Sequence, residues 1–575
     1  ENMIKKPDEM IAYWVGAIQD TVEGSSGHSL YSDANILGNF FGTKNVGSGA
    51  SVNWDIVHAY ESLSGTLSND DSCSQYSNSI EAMWPVVVQL LGQMMIPQIQ
   101  SLIKYMLDED TEMVNIHSRI VVPQLSQCRY SDYEFLKDAL IDNAYNPAKF
   151  HAIIKILQRN YSCFGLKCED IGTPASNPDK ALVCDEYYND IPTLAGYPAT
   201  SEVTEQSKID LDMHQINILT QFDSIEYWKM AKYIYLYGKN SLIVDYYADD
   251  DDVAFSQFRT LHSFAISGKR KGALFYTEFV AYFDDPNYAD TIILEAFENE
   301  GRYGGRYFKQ RAAVIRVALQ AQLMYMTVLA KLEESVQGCG SDDNLILTPD
   351  SWDEAAAYII GSLEGEERGG SPYFSDGEML WSLGNSRSIE FGRQNSNFFA
   401  ISNSEILELL LAGKGQILSS NCPHLGKTAN DIAHMLLVPI VQSVIKYAIA
   451  LEFETFTSSD PDVALGETFA NALIPVFIKY DKKSAMKIKR NMVAEGGKSF
   501  GDLVTDGPQS VADTFLSVAD NFNVDCSYIG KKFEVDACLN YKPFEGQDSN
   551  LARRTPAFAT PIIFLLSFVM SIVLL

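Results

Sequence analysis

Apolar residues recur at steps of three and four over several turns in residues 81–107 and 312–336, the spacing that lines one face of an α-helix. Both stretches read as core helices. Pro97 and Pro439 lie in such stretches, where a ring without an N–H either kinks a helix or opens a new one. Strand-like alternation is scarce, and the connectors, such as GEERGGSPYFSDGE at 365–378, are rich in Gly, Ser and acidic residues. The pattern predicts a mainly α fold.

The helical pattern also repeats itself. PQIQSLIKY at 97–105 returns as PIVQSVIKY at 439–447, and AYWVG at 12–16 returns as AYIIG at 357–361, behind Asp8-Glu9 and Asp353-Glu354 respectively. Glu23 then faces Glu364, Tyr31 faces Tyr373, Gly38-Asn39 faces Gly384-Asn385, and Cys73 faces Cys422. More loosely, residues 161–172 resemble 524–538. A near-constant offset of roughly 345 residues predicts two tandem homologous helical units and not a short-period solenoid. Residues 1–200 form a partial, N-terminally incomplete first unit, 201–546 a complete second unit, and 547–575 a spacer with an apolar tail. The nonapeptide itself reads as core with a rim lysine; it marks the repeat.

The net charge of −31 over 575 residues argues against nucleic acid, which needs clustered Lys and Arg. The acidic run YYADDDDV at 246–253 reads as a solvated face. The uncharged tail from Thr555 to Leu575 is long enough to cross a bilayer, as a retained membrane helix or as a removed lipid-anchor signal. Either places the body outside the cytosol, where nine cysteines can pair: Cys339 with Cys422, Cys163 with Cys168, Cys526 with Cys538. The counterpart of Cys339 would precede Glu1, which suggests a truncated or processed start. Asn160-Tyr161-Ser162 is a glycosylation sequon. Nucleophile-elbow, Walker, His-Glu-x-x-His and dinucleotide patterns are missing from the sequence, so no enzyme is expected.

Five segments in order, IDLDMHQINIL (209–219), AKYIYLYGKNS (231–241), FRTLHSFA (258–265), YADTIILEAF (288–297) and WDEAAAYIIGSLEG (352–365), resemble the algal phytotransferrins and iron-assimilating periplasmic proteins, surface proteins induced by iron starvation. The resemblance implies capture of ferric iron (Fe3+) at the cell surface with carbonate as a co-bound anion, then endocytosis with partners unnamed by the sequence. Residue chemistry suggests the ligands: a hard trivalent cation favours carboxylate and phenolate oxygen and tolerates imidazole, which Asp210, Asp212, His214, Tyr235, Tyr237 and Glu364 supply. Protons compete for such ligands, so acid would release the metal. Arg259, Thr260 and His262 suit the anion, with His262 alternatively a metal ligand. The first unit lacks counterparts of IYLYGKNS and RTLHSFA, so one site is expected. Two other readings stand beside this one: an adhesive or structural surface glycoprotein, and a protein acting on inorganic carbon.

Overall fold

The structure, a computed structural model, describes residues 5–17, 29–45, 49–68, 79–174, 182, 194–243, 257–339, 349–365, 377–453, 460–494 and 503–540. Glu23, Cys73, Tyr373, the acidic run at 246–253 and the tail at 547–575 lie outside these residues.

The fold is mainly α-helical, as the periodicity predicts. Among the described residues the strands are three antiparallel ladders of two-residue strands, 44–45 with 49–50, 242–243 with 257–258, and 531–532 with 535–536. One apolar core gathers side chains from Trp14 to Leu182 and a larger one from Trp84 to Ala537. Between them Cys128, Cys163, Leu211 and Leu363 form a small third cluster. The helix Ile209–Thr220 sits at this junction and is buried nearly all round, although its sequence carries two aspartates and a histidine. A helix that polar, buried on every side, must find partners for its charges within the protein.

Among the described residues three helices are long and apolar enough to cross a membrane: Ser79–Leu107, Phe308–Cys339 and Cys422–Glu452. Their most apolar windows are 61%, 89% and 94% buried within the protein, so the first has the most apolar surface left to meet lipid. Leu91, 50% exposed, lies on it. This corrects the expectation of a single C-terminal membrane anchor. Apolar helices of membrane-spanning length occur through the body of the chain, and they support membrane association. Pro97 stays within the unbroken Ser79–Leu107 helix, whereas Pro439 stands at the start of Val438–Phe453, just after Cys422–Met435 ends.

One set of hydrogen bonds occurs twice. Asn53 Nδ2 donates to Tyr31 O at 2.9 Å and to Asn35 Oδ1 at 3.0 Å; Asn403 Nδ2 donates to Trp381 O at 2.8 Å and to Asn385 Oδ1 at 2.9 Å. Gln100 Nε2 donates to Ile171 O, and Gln442 Nε2 to Ile529 O, both at 2.8 Å. Gly172 and Gly530 follow those carbonyls in the left-handed region, φ 71° and 78°. A Cβ at Gly172 would stand 2.4 Å from Phe41 O, and one at Gly530 2.8 Å from Phe391 O. Gly172→Ala is therefore expected to cost about 2 kcal/mol or more, from backbone strain and overlap together. A denaturant titration checks this, and an unchanged midpoint would contradict it.

Disulfides join Cys339 to Cys422 and Cys526 to Cys538, as expected, but Cys163 joins Cys128. The turn Tyr161–Phe164 buries Cys163 against the Val122–Gln127 turn, and Cys168, beyond the left-handed Gly165, belongs to a different disulfide.

Candidate functional site

Residues four apart on a helix stack on one face, and residues seven apart return to it. On Ile209–Thr220 that places Asp210, His214 and Asn217 in one row. The segment at Glu378 runs along the row. Its backbone N–H donates to Asp210 Oδ1 at 2.8 Å, while its carboxylate accepts from Asn217 Nδ2 at 2.7 Å and from Arg316 Nε at 3.0 Å. His214 lies between these contacts. Its two ring nitrogens, and Asp210 Oδ2, are buried without a hydrogen-bond partner among the described residues.

Two glycines let a second carboxylate approach. A Cβ at Gly361 would fall 2.2 Å from Asp210 Oδ2; one at Gly377 would fall 2.5 Å from Glu364 Oε1 and 3.5 Å from Asp210 Oδ2. Glu364 is fully buried, and its Oε2 accepts from Asn385 Nδ2 at 3.2 Å. Arg129 reaches in from the other core, donating to Ser362 O at 2.9 Å. Burial pushes the Asp210 carboxyl up to about 7, and the charge of Glu378 adds to it; the N–H groups of Glu378 and Leu363 and the charge of Arg129 oppose the rise. The result is a buried acidic centre with two arginines at its edge.

The other expected ligands are held elsewhere. Asp212, two residues from Asp210, faces the opposite way and binds a turn: Oδ1 accepts from Asn240 N at 3.0 Å and Nδ2 at 2.6 Å, and Oδ2 from Lys239 N at 3.3 Å. Burial raises its carboxyl to about 7 as well, against the hydrogen bonds from Asn240. Tyr235 donates its hydroxyl to Asp290 Oδ1 at 2.6 Å, and His262 Nδ1 meets the same oxygen at 2.8 Å. That cluster joins an expected metal ligand to an expected anion ligand through an aspartate that the sequence reading missed. Tyr237 packs its ring 5.9 Å from Tyr233. Arg259 donates to Leu242 O. Thr260 caps Leu261–Ile266, accepting from Ser263 N at 2.9 Å. Of the nine expected site residues, Asp210 and Glu364 are therefore brought together, His214 lies one turn along the Asp210 face of the same helix, and Arg259 and Thr260 serve the backbone.

Asn217, Arg316, Glu378 and the two glycines are the partners that sequence reasoning missed. Asn217 was within reach of the helical row; Glu378 and Arg316 come together only in the fold.

No family model, no curated protein and no solved structure matches this chain. The resemblance to the phytotransferrins is not upheld. Among the described residues the body is mainly helical, with only two-residue strands and three long apolar helices, unlike the mixed α/β two-lobed architecture of the transferrins. The reading as a surface-anchored ferric receptor using carbonate and acid release falls with it, as do iron starvation, iron uptake and endocytosis. Among the described residues no group of three or more His, Cys, Asp or Glu side chains is arranged to hold a metal ion.

Proposed function

We propose that this protein is a membrane-associated, disulfide-braced binding protein, without catalysis, whose buried centre at Asp210, His214 and Glu364 takes up a small protonated amine. One observation carries the reading: Asp210 Oδ2 and both His214 ring nitrogens stand buried and unpartnered on one helix face. Native proteins pair nearly all buried polar groups, so such a cluster asks for a ligand. An ammonium group offers several donors and one positive charge; it suits the Asp210 carboxylate and an imidazole acceptor beside Glu378, which is itself matched by Arg316.

Because burial holds the Asp210 carboxyl at about 7, a proton competes with the amine below that pH. Calorimetric titration of the detergent-solubilised full chain with methylammonium is expected to show saturable binding near about pH 8, weaker binding near about pH 6, and none in Asp210→Asn. Absence of binding at both pH values, an unchanged affinity in Asp210→Asn, or a response to metal cations alone would overturn the reading.

The recurring hydrogen bonds of Asn53 and Asn403, and of Gln100 and Gln442, support two tandem homologous units, the first incomplete, with the amine centre in the second. Disulfides throughout the body support an oxidising compartment, which favours the cell surface.

A further inference from the structure

Beside Glu378, a cleft of about 380 Å³ opens between the helices Phe308–Val317, Leu380–Glu390 and Val438–Phe453. It is lined by Arg316, Ser386, Arg387, Glu390, Lys446 and Tyr447, among others. In a chain of net charge −31 this is a local excess of positive charge. Three cations converge on the single carboxylate of Glu390: Arg387 Nη1, Lys446 Nζ at 2.9 Å, and Lys532 Nζ at 3.0 Å. Burial would raise the Glu390 carboxyl, yet Arg387, Lys446 and Lys532 together hold it below its ordinary value. Arg316, with a side chain 49% exposed, pairs with Glu378. Among the described residues the cations that line the cleft, Arg316, Arg387 and Lys446, outnumber its one lining carboxylate, Glu390.

The scaffold holds these cations in place. Arg387 is buried and donates its Nε to Ser443 Oγ at 2.8 Å, one turn before Lys446 on Val438–Phe453. Ser443, Lys446 and Tyr447 are the Ser, Lys and Tyr of the second copy of the repeated nonapeptide. In the first copy the equivalent Lys104 pairs with Asp108, just beyond the end of its own helix, and among the described residues no such convergence of cations forms around it. The nonapeptide that marks the repeat thus supplies part of a site in its second copy alone.

We propose that this cleft binds a phosphate monoester, its doubly charged oxyanion seated among Arg316, Arg387 and Lys446. Two guanidinium forks and an ammonium match a tetrahedral dianion in charge and in donor geometry, and the ring of Tyr447 gives the organic part an apolar wall. The group can come from a soluble phosphate ester or from a lipid headgroup, since two of the three cleft helices belong to apolar segments of membrane-spanning length.

The test uses the full chain in detergent, titrated with inorganic phosphate and with glycerol 3-phosphate, and the reconstituted chain with phosphatidylcholine vesicles with and without phosphatidic acid. Saturable binding is expected in one arm, weakened roughly tenfold or more by Lys446→Gln and by Ser386→Asp. Ser386 is exposed, so an acid there repels the ligand without disturbing the core. Lys427→Gln, an exposed lysine paired with Asp431 on another surface, should bind as the unaltered chain does. Binding of the soluble phosphates identifies a free ester as the source, and response to phosphatidic acid alone identifies the headgroup. No binding in either arm, or undiminished binding by Ser386→Asp with its helical circular dichroism intact, overturns the proposal.

Discussion

Asp353→Ala is expected to destabilise the protein by about 3–5 kcal/mol. Asp353 is fully buried on the helix Asp350–Ile360. Its carboxylate accepts from the Tyr197 hydroxyl at 2.5 Å and, through Oδ2, from Thr200 N at 2.6 Å, Ser201 N at 2.9 Å and Ser201 Oγ at 3.0 Å. Alanine leaves the buried Tyr197 hydroxyl and the three part-buried donors of Thr200 and Ser201 without their acceptor. The carboxylate also raises the Tyr197 hydroxyl well above its ordinary range, second to burial as a cause, so the pair is held with the proton on tyrosine. Urea titration read by tyrosine fluorescence measures the loss, and limited proteolysis at 194–201 shows whether that segment detaches first. A loss under about 1 kcal/mol would mean that water replaces the carboxylate and that the segment is held by its packing instead.

The same aspartate shows how far the sequence could be read. Its place in a repeated Asp-Glu pair singled it out, but the first-copy residue, Asp8, accepts from Tyr60 at an exposed site, and the pair does not share one role. Helices were legible because three- and four-residue steps are a local property, and the long apolar ones were found at 81–107 and 312–336. Alignment of the repeated stretches was legible only to within one turn. Asn39 was matched to Asn385, whereas the hydrogen bonds give Asn35 that part. Four residues of slip keep the same helix face inward, so the apolar pattern cannot detect it. In the site, Asp210 and His214 were legible as a row on one helix. Asp212 was not separable from them by residue type, because its direction depends on the turn at Lys239 and Asn240. Tyr235 and His262 looked like ligands for the same reason, and what decides their role is Asp290, which is remote from both in sequence.

Lowering the pH from about 8 to about 5 is expected to stabilise this protein, the reverse of ordinary acid behaviour. Asp210 and Asp212 are both raised by burial to about 7 in the folded chain, against about 4 in the unfolded one. Between those values the folded state holds protons that the unfolded state has released, so stability falls as pH rises through the window and recovers as pH drops through it. Each carboxyl then accounts for about 4 kcal/mol at most between the two limits. Lys239, lowered by burial to about 8 against the pull of Asp212, has the opposite sign and a different window; its cost is present below about pH 8 and is relieved only at more alkaline pH. Carboxylates held low, such as Glu390 among its three cations, lose their contribution only as pH falls below the ordinary carboxylate range, outside the interval tested. Asp210→Asn removes one of the two raised carboxyls while keeping an acceptor for the Glu378 N–H, and should flatten the urea midpoint against pH. A slope equal to that of the unaltered chain would show that Asp210 stays ionised when buried, with water or a bound cation beside it, and the competition between proton and amine would then have no physical basis.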